Sequence, residues 1–431
     1  MKKFFIIATA VILAIALAAP LFAMDFKASG FVRVRSLWMD NFPDFDDDNH
    51  DSRSFVDNRA RVKFSFTQDN VTGVVYLEMD GIWGNGPGDR NHAGFWGADR
   101  AAVEVKNYYI KFKVPRIPVS LTAGVQSFAI RPAAFQYTDG GGLKITVNAK
   151  PVKANLFWMK PWEGSTQDSQ DTDIYAADVA VNVGPAKVGM FAEYMNAKCY
   201  PLNNDTGRMD AWWVGVNGSG KVGPVKFSMD FIYGDGEYEN HDTDVDTDYS
   251  GWLVMGKVGY VLNKYEFGFE GFYASGQDYN DTDFDGYFIP PASEAGSLYL
   301  PAVVVLGSPV YDHGYLPGNY SWGSVSKGAW SGLWLAKIYA NIPVLDWLIL
   351  YPGAMVIGNT EDNGNRIWGA NGDDEAIGGY EFDIIAKLKI TKNLTYSVGA
   401  GYLFVDDGFL NQAHDPDDDA WGVVSNLIYK F

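Results

Sequence analysis

The feature that most limits the fold of this chain is a two-residue alternation of charge and hydrocarbon. Val32 and Val34 alternate with Arg33 and Arg35, while Ala60, Val62, Phe64 and Phe66 interleave with Arg59, Arg61, Lys63 and Ser65. Successive side chains on a strand point to opposite faces, so each segment has one basic face and one apolar face. The same period sets Leu143, Ile145 and Val147 against Lys144, Thr146 and Asn148, and Val225, Phe227, Met229 and Phe231 against Lys226, Ser228 and Asp230. Tyr265, Phe267 and Phe269 oppose Glu266 and Glu270, and Phe382, Ile384, Ala386 and Leu388 oppose Glu381, Asp383, Lys387 and Lys389. One segment breaks step: Glu104 and Lys106 share one face but Lys111 and Lys113 share the other. That predicts a β-bulge or strong bend near Lys106 to Asn107.

Composition decides where the apolar faces go. Aromatic residues are 15% of the chain, glycine numbers 47, and Phe, Tyr and Trp recur at the ends of short alternating segments. Aromatic girdles separated by segments of about ten alternating residues are the signature of a transmembrane barrel. An Arg or Lys turned to lipid at the midplane costs about 2–4 kcal/mol, so the basic residues are expected to face the lumen. Beyond the first residues no stretch approaches the 18 or so uninterrupted apolar residues of a helical span. The expected fold is all-β, a transmembrane antiparallel β-barrel of about 18 strands, with about 16 as the nearest alternative. Links at Gln68 to Asn70, Pro115 to Pro118, Asn148 to Pro151, Gly184 to Ala186, Val261 to Lys264, Ile342 to Asp346 and Thr391 to Asn393 read as tight periplasmic turns. Longer polar loops between them are expected outside the cell. The stretch from about Ser275 to Trp330, with Pro290, Pro291, Pro301, Pro309 and Pro317, is too long for an idle connection. It is expected to enter the pore, to cover a neighbouring subunit, or to contain a strand pair around Pro301 to Leu306.

Residues 1–23 read as a secretory signal peptide, with Lys2 and Lys3 ahead of an apolar run from Phe4 to Ala19. Residues 24–431 then read as one barrel domain in the outer membrane of a Gram-negative bacterium. The single cysteine, Cys199, excludes an intramolecular disulfide. The formal net charge of −19 argues against a nucleic-acid partner. The five histidines, His50, His92, His241, His313 and His414, fall in predicted loops, and no Ser sits in a nucleophile motif, so the chain does not read as an enzyme.

Two sets of charged residues are candidate sites. Arg33, Arg35, Arg59, Arg61 and Lys63 would form a basic patch on one side of the lumen, opposed by Glu78, Asp80, Glu104, Asp178 and Glu193. Such a lining orders water and biases ion selectivity; the alternative is that the charges pair to hold the wall together. Acid runs occur at Asp44 to Asp51, Asp242 to Asp248, Asp281 to Asp285 and Asp415 to Asp419. Asp281, Asp283 and Asp285 begin like a calcium loop, but Ala292 stands where an EF-hand needs a bidentate Glu. The acid runs read as solvated loops, with calcium held by their oxygens, between loops or to lipopolysaccharide, as the alternative; no cofactor is required. Trp212-Trp213 reads as one girdle residue and one lumen residue able to stack on a sugar.

Finally, Asn58-Arg59-Ala60-Arg61, Trp83-Gly84, Gly97-Ala98-Asp99, the run Val103 to Ile110 and Gly124-Val125-Gln126 resemble the outer membrane homotrimeric porins of sulfate-reducing bacteria. The resemblance covers the first third of the chain best, together with the last strand. It implies a homotrimer of water-filled barrels, in contact with outer-membrane lipid and lipopolysaccharide, admitting small hydrophilic solutes by passive diffusion. Likeness to outer-membrane barrels also implies that Trp421, Val423, Leu427, Tyr429 and Phe431, which share one parity, address the chain to the barrel-assembly machinery. Likeness to general porins makes the Ser127 to Gly142 loop, with Arg131, Phe135, Tyr137, Asp139 and a Gly140-Gly141-Gly142 hinge, the candidate constriction, the alternative being an outward surface loop. The alternatives are a channel specific for a sugar or organic anion, and a non-conducting structural or adhesin barrel.

Overall fold

A computed structural model describes residues 24–41, 52–85, 92–94, 103–164, 170–202, 206–243, 245–277, 281–293, 295, 304–305, 330–361, 377–406 and 418–431. The segment read as a signal peptide and most of the acid runs 44–51 and 415–419 lie outside the described residues. Every regular element among the described residues is a strand. In chain order they are β1 (Asp25–Asp40), β2 (Arg53–Gln68), β3 (Val71–Trp83), β4 (His92–Ala93), β5 (Glu104–Lys113), β6 (Val119–Ile130), β7 (Gln136–Ala149), β8 (Val152–Trp162), β9 (Thr172–Val183) and β10 (Ala186–Tyr200). There follow β11 (Gly207–Val222), β12 (Val225–Asn240), β13 (Val245–Leu262), β14 (Tyr265–Ala274), β15 (Leu333–Leu345), β16 (Leu348–Asn359), β17 (Ile377–Lys389), β18 (Leu394–Val405) and β19 (Ala420–Lys430). The two-residue β4 lies parallel to the end of β3. The other eighteen pair antiparallel with their neighbours, and β1 pairs with both β2 and β19, so the sheet closes on itself.

Closure fixes an inside and an outside, and the parity read from sequence sorts the residues between them. In β1, Val32 and Trp38 are exposed on the outer wall while Arg33, Arg35, Leu37 and Met39 are buried inside. In β19, Trp421, Leu427 and Tyr429 face out, as does Phe431 beyond the strand. Phe431 exchanges two backbone hydrogen bonds with Gly30 at the β1–β19 seam, at 2.9 and 3.0 Å. The predicted bulge is present. Tyr76 pairs with Asn107 and Leu77 with Val105, leaving Lys106 as the extra residue. Lys106 and the buried Asn107 both point inward, which carries the strand from one parity to the other.

The outer wall is banded for lipid. At the loop end, aromatic N–H and O–H groups are satisfied by neighbouring polar side chains. Trp83 donates to Asn58 at 2.9 Å, Trp158 to Asp173 at 2.7 Å, Tyr194 to Asp210 at 2.8 Å, Tyr402 to Asp419 at 3.0 Å and Trp421 to Asp40 at 3.2 Å. An apolar ring below and a polar tip above is how Trp and Tyr sit at a membrane interface. Within the band a rare outward polar pair, Ser36 and Ser425, bonds to itself at 2.6 Å across the seam.

Eight short links join strands at one end. Seven match the predicted turns. The eighth, Gly223-Pro224 between β11 and β12, was not predicted, although Gly at φ +57 followed by Pro is a strong turn signal. A larger difference concerns 127–142, predicted as a loop. Residues 127–130 and 136–142 are strand, with Ser127 opposite Asp139, and only 131–135 turn the chain. Gly140-Gly141-Gly142 is therefore ladder and not a hinge. Gly142 is required because a Cβ there would meet the Trp158 carbonyl oxygen at 2.1 Å.

Candidate functional site

The β6–β7 hairpin leaves the wall. Pairing of β5 with β6 ends at Tyr108 opposite Val125, and pairing of β7 with β8 ends at Gly142 opposite Met159. Residues from Gln126 to Gly141 therefore bond only to each other in the sheet, and their turn crosses the barrel interior. Arg131, held at φ +46, donates from Nη2 to Asp230 on the inner face of β12 at 2.7 Å, and its Nε also pairs with that carboxylate. Gln136 donates to Glu193 on the inner face of β10 at 2.8 Å. Phe135 stacks on Phe191 at 4.8 Å and tilts against Trp213 at 5.8 Å.

A second inward element seals this contact. Residues 281–293, from the long segment after β14, run beside the inner loop end of β13, with Phe284 bridged to Tyr249. Gly251 admits it, since a Cβ there would lie 2.3 Å from the Gly286 carbonyl oxygen. Phe288 covers Trp213, whose indole N–H donates to the Phe288 carbonyl at 3.1 Å. Ser293 Oγ donates to the Phe135 carbonyl at 2.9 Å and Tyr287 donates to the Ala134 carbonyl at 2.6 Å. Burial, with Asp230 nearby, holds the Tyr287 phenol well above its ordinary pKa, so it stays a donor. Farther along, the Val304 amide donates to Glu381 at 2.7 Å and to Asp383 at 2.9 Å, and the Val305 amide donates to Glu381 at 2.7 Å. Both carboxylates are on the inner face of β17, and the fully buried Lys337 of β15 lies among inward acids, 4.0 Å from Glu270. No strand pair occurs at the described residues 304–305; the rest of Pro301 to Leu306 lies outside the described residues.

The predicted lining residues are found on the inner wall as interlocked pairs. Arg35 bonds Asp57 with Nε at 3.0 Å, Arg59 bonds Asp80 with Nε at 3.0 Å, and Arg61 bonds Glu78 with Nη2 at 3.1 Å. Arg33 lies opposite Arg59 in the ladder, and Lys63 places its ammonium 5.9 Å from the Tyr109 ring. Glu104 stands opposite Glu78 in the β3–β5 register. The acids expected to form an opposing wall are thus divided. Glu78 and Asp80 lie beside the arginines because β3 is the next strand after β2. Asp178 on β9 instead accepts from Asn155 at 2.9 Å, and Glu193 on β10 holds the hairpin. Of the loop candidates, Arg131 and Phe135 cross the interior, the Tyr137 amide donates to Ser293 Oγ at 3.2 Å, and Asp139 binds Lys106 at 2.6 Å.

Two minor readings meet different surroundings in the structure. Trp213 does face inward, but it is fully buried under Phe135 and Phe288 and offers no face to a sugar, while Trp212 is on the outer wall. Asp281, Asp283 and Asp285 are not gathered into a metal-holding group, and no such cluster of three exists among the described residues. In an extended segment alternate residues separate. Asp283 accepts from the Asp248 amide at 3.3 Å and Asp285 from Ser250 at 2.8 Å. Asp230, Glu381, Asp383 and Lys337 were not singled out as site residues; the alternation set the first three on a polar face, but what they hold comes from distant segments.

No family model matches the chain, and no curated protein matches it. Solved structures do. OccK2 (OpdF) of Pseudomonas aeruginosa aligns with a TM-score of 0.58 at 10% identity, covering 94% of this chain and 98% of that one. OpdL of the same organism aligns at 0.57 and 10%, covering 94% and 99%. OpdK, crystallised with vanillate, aligns at 0.56 and 12%, covering 94% and 98%. At such identities the likeness is one of fold, and the resemblance to homotrimeric porins stays one of short motifs.

Proposed function

We propose that this protein is an outer-membrane channel through which small hydrophilic solutes and ions move passively. The reading is carried by the closed barrel with a lipid-banded exterior and a charged inner wall, narrowed at the loop end by the hairpin that ties Arg131 to Asp230. Under this reading the short turns face the periplasm, residues 1–23 direct export, the last strand is read by the barrel-assembly machinery, and the barrels associate as trimers in lipid and lipopolysaccharide. Purified protein added to a planar lipid bilayer is expected to give stepwise conductance; a silent bilayer with correctly folded protein sinks the proposal.

A second reading is selectivity for an organic anion. It is favoured by the two inward elements, which leave less than the full barrel bore, and by the crystallisation of the similarly folded OpdK with vanillate, an aromatic carboxylate. Vanillate added to one side is then expected to interrupt the current, whereas unaltered conductance favours general diffusion.

A further inference from the structure

The arginines of the loop half are matched by carboxylates, and in the turn half Lys226 pairs with Glu266 and Lys257 with Glu270 between β12 and β14, but the turn half of the stretch before them is not so matched. From β2 to β11 this half carries Lys63, Lys111, Lys144, Lys153, Lys187 and Lys221, all on the inward parity. Their strand neighbours mark the outside: Ile110 is 60% exposed, Leu143 48%, Val188 52% and Val222 61%. Across the ladder Lys111 stands opposite Thr122, Thr122 opposite Lys144, and Lys144 opposite Phe157, whose ring lies 4.9 Å from the Lys144 ammonium. Asp178 is the one inward carboxylate in this stretch; it is bonded to Asn155 and attracts Lys144 without pairing with it. None of the six lysines forms an ion pair with a described carboxylate. Exposed acids stand at both ends, Asp242 and Asp281 at the loops and Asp25, Asp69 and Asp346 at the turns, but none of them pairs with these lysines.

We propose that this lysine wall is the element that selects ions, an anion-accepting vestibule at the turn end whose solutes are small inorganic and organic anions. The inference rests on the channel reading above. Ion-paired arginines present little net charge to a passing solute, whereas unpaired ammonium groups facing water raise the local anion concentration. Because unpaired lysines line the turn end of this stretch and paired charges the loop end, the fixed positive charge is uneven along the pore axis, and current should depend on the direction of the field. The lysine wall would decide what crosses.

The test uses the full-length protein inserted from one side of a planar bilayer in potassium chloride. The unmodified chain is expected to rectify in symmetric salt and to show, in a salt gradient, a reversal potential displaced toward that of chloride. Combined Lys111→Gln, Lys144→Gln and Lys153→Gln substitution should move the reversal potential toward potassium and flatten the rectification. Lys198→Gln removes the same charge from the outer face of β10 and should move neither. A triple variant with unmodified reversal potential and rectification, or an equal shift from Lys198→Gln, overturns the proposal. Should the triple variant fail to fold, Lys153→Gln alone, exposed beside its turn, is read the same way: a smaller shift toward potassium supports the lysine wall and no shift refutes it. A chain that never conducts defeats the channel reading instead, so the two failures are distinguishable.

Discussion

The two halves of the inner wall have the same alternation and opposite characters. In the loop half the inward residues are sealed. Leu37, Phe128, Phe191, Met195, Trp213, Leu253 and Leu335 are buried against the hairpin and the segments 281–293 and 304–305, and the charges there are paired. In the turn half the inward residues from β2 to β11 include six lysines with no carboxylate partner, while from β12 to β15 Lys226 and Lys257 are paired with Glu266 and Glu270. A strand's parity therefore decides which side a residue faces, and depth along the barrel decides whether that side behaves as a protein core or as a solvated channel.

The sharpest way to break this contrast is to hollow the packed half. Trp213→Ala removes a fully buried ring together with its hydrogen bond to Phe288, and should destabilise the protein by about 3–5 kcal/mol. Thermal unfolding in detergent measures the loss, and single-channel conductance should rise as the hairpin loosens; an unchanged melting temperature would show that the hairpin packs elsewhere. A smaller effect is expected from Arg131→Ala, which leaves the buried Asp230 carboxylate without its cation. Allowing for the partial exposure of Arg131, the expected cost is about 2–3 kcal/mol, with a wider and noisier open state. Asp230→Asn combined with it should recover much of the stability, because the uncompensated charge is gone; no recovery would deny the pair its role. Smallest is Glu381→Gln. It keeps an acceptor for the Val304 and Val305 amides but removes the charge that strengthens those bonds, at about 1–2 kcal/mol. Proteolysis after Val305 should become faster while the barrel itself resists; equal cleavage of both proteins would show that Glu381 does not hold the segment.

The sequence made the wall legible because its code is local. Alternation placed Val32, Phe64, Phe231 and Phe382 outside and Arg33, Lys63, Asp230 and Asp383 inside, and the mismatch between Lys106 and Lys111 marked the neighbourhood of the bulge. The interior was much less legible. Asp230 is 99 residues from Arg131, and Glu381 is 77 from Val304, and nothing in either neighbourhood names its partner. The glycines 140–142 misled for a related reason: near a predicted turn they read as a hinge, whereas Gly142 is there to let the Trp158 backbone approach. The basic ladder was correctly turned inward but its charge was overcounted, since the neutralising acids Asp57, Glu78 and Asp80 lie on adjacent strands.

The seam between β1 and β19 has a consequence for how the molecule comes to exist. Ser36 meets Ser425 and Gly30 meets Phe431, so the ladder that completes the ring joins residues nearly four hundred positions apart. Every other hairpin can zip as soon as its own two strands are present, but this one must wait for the whole intervening chain. Loop closure over such a span is slow, and until it occurs β1 and β19 each offer an unsatisfied row of amides and carbonyls. The last step of assembly is therefore the one most open to pairing with a wrong edge, and anything that shields the two edges until they meet governs the yield of finished barrels.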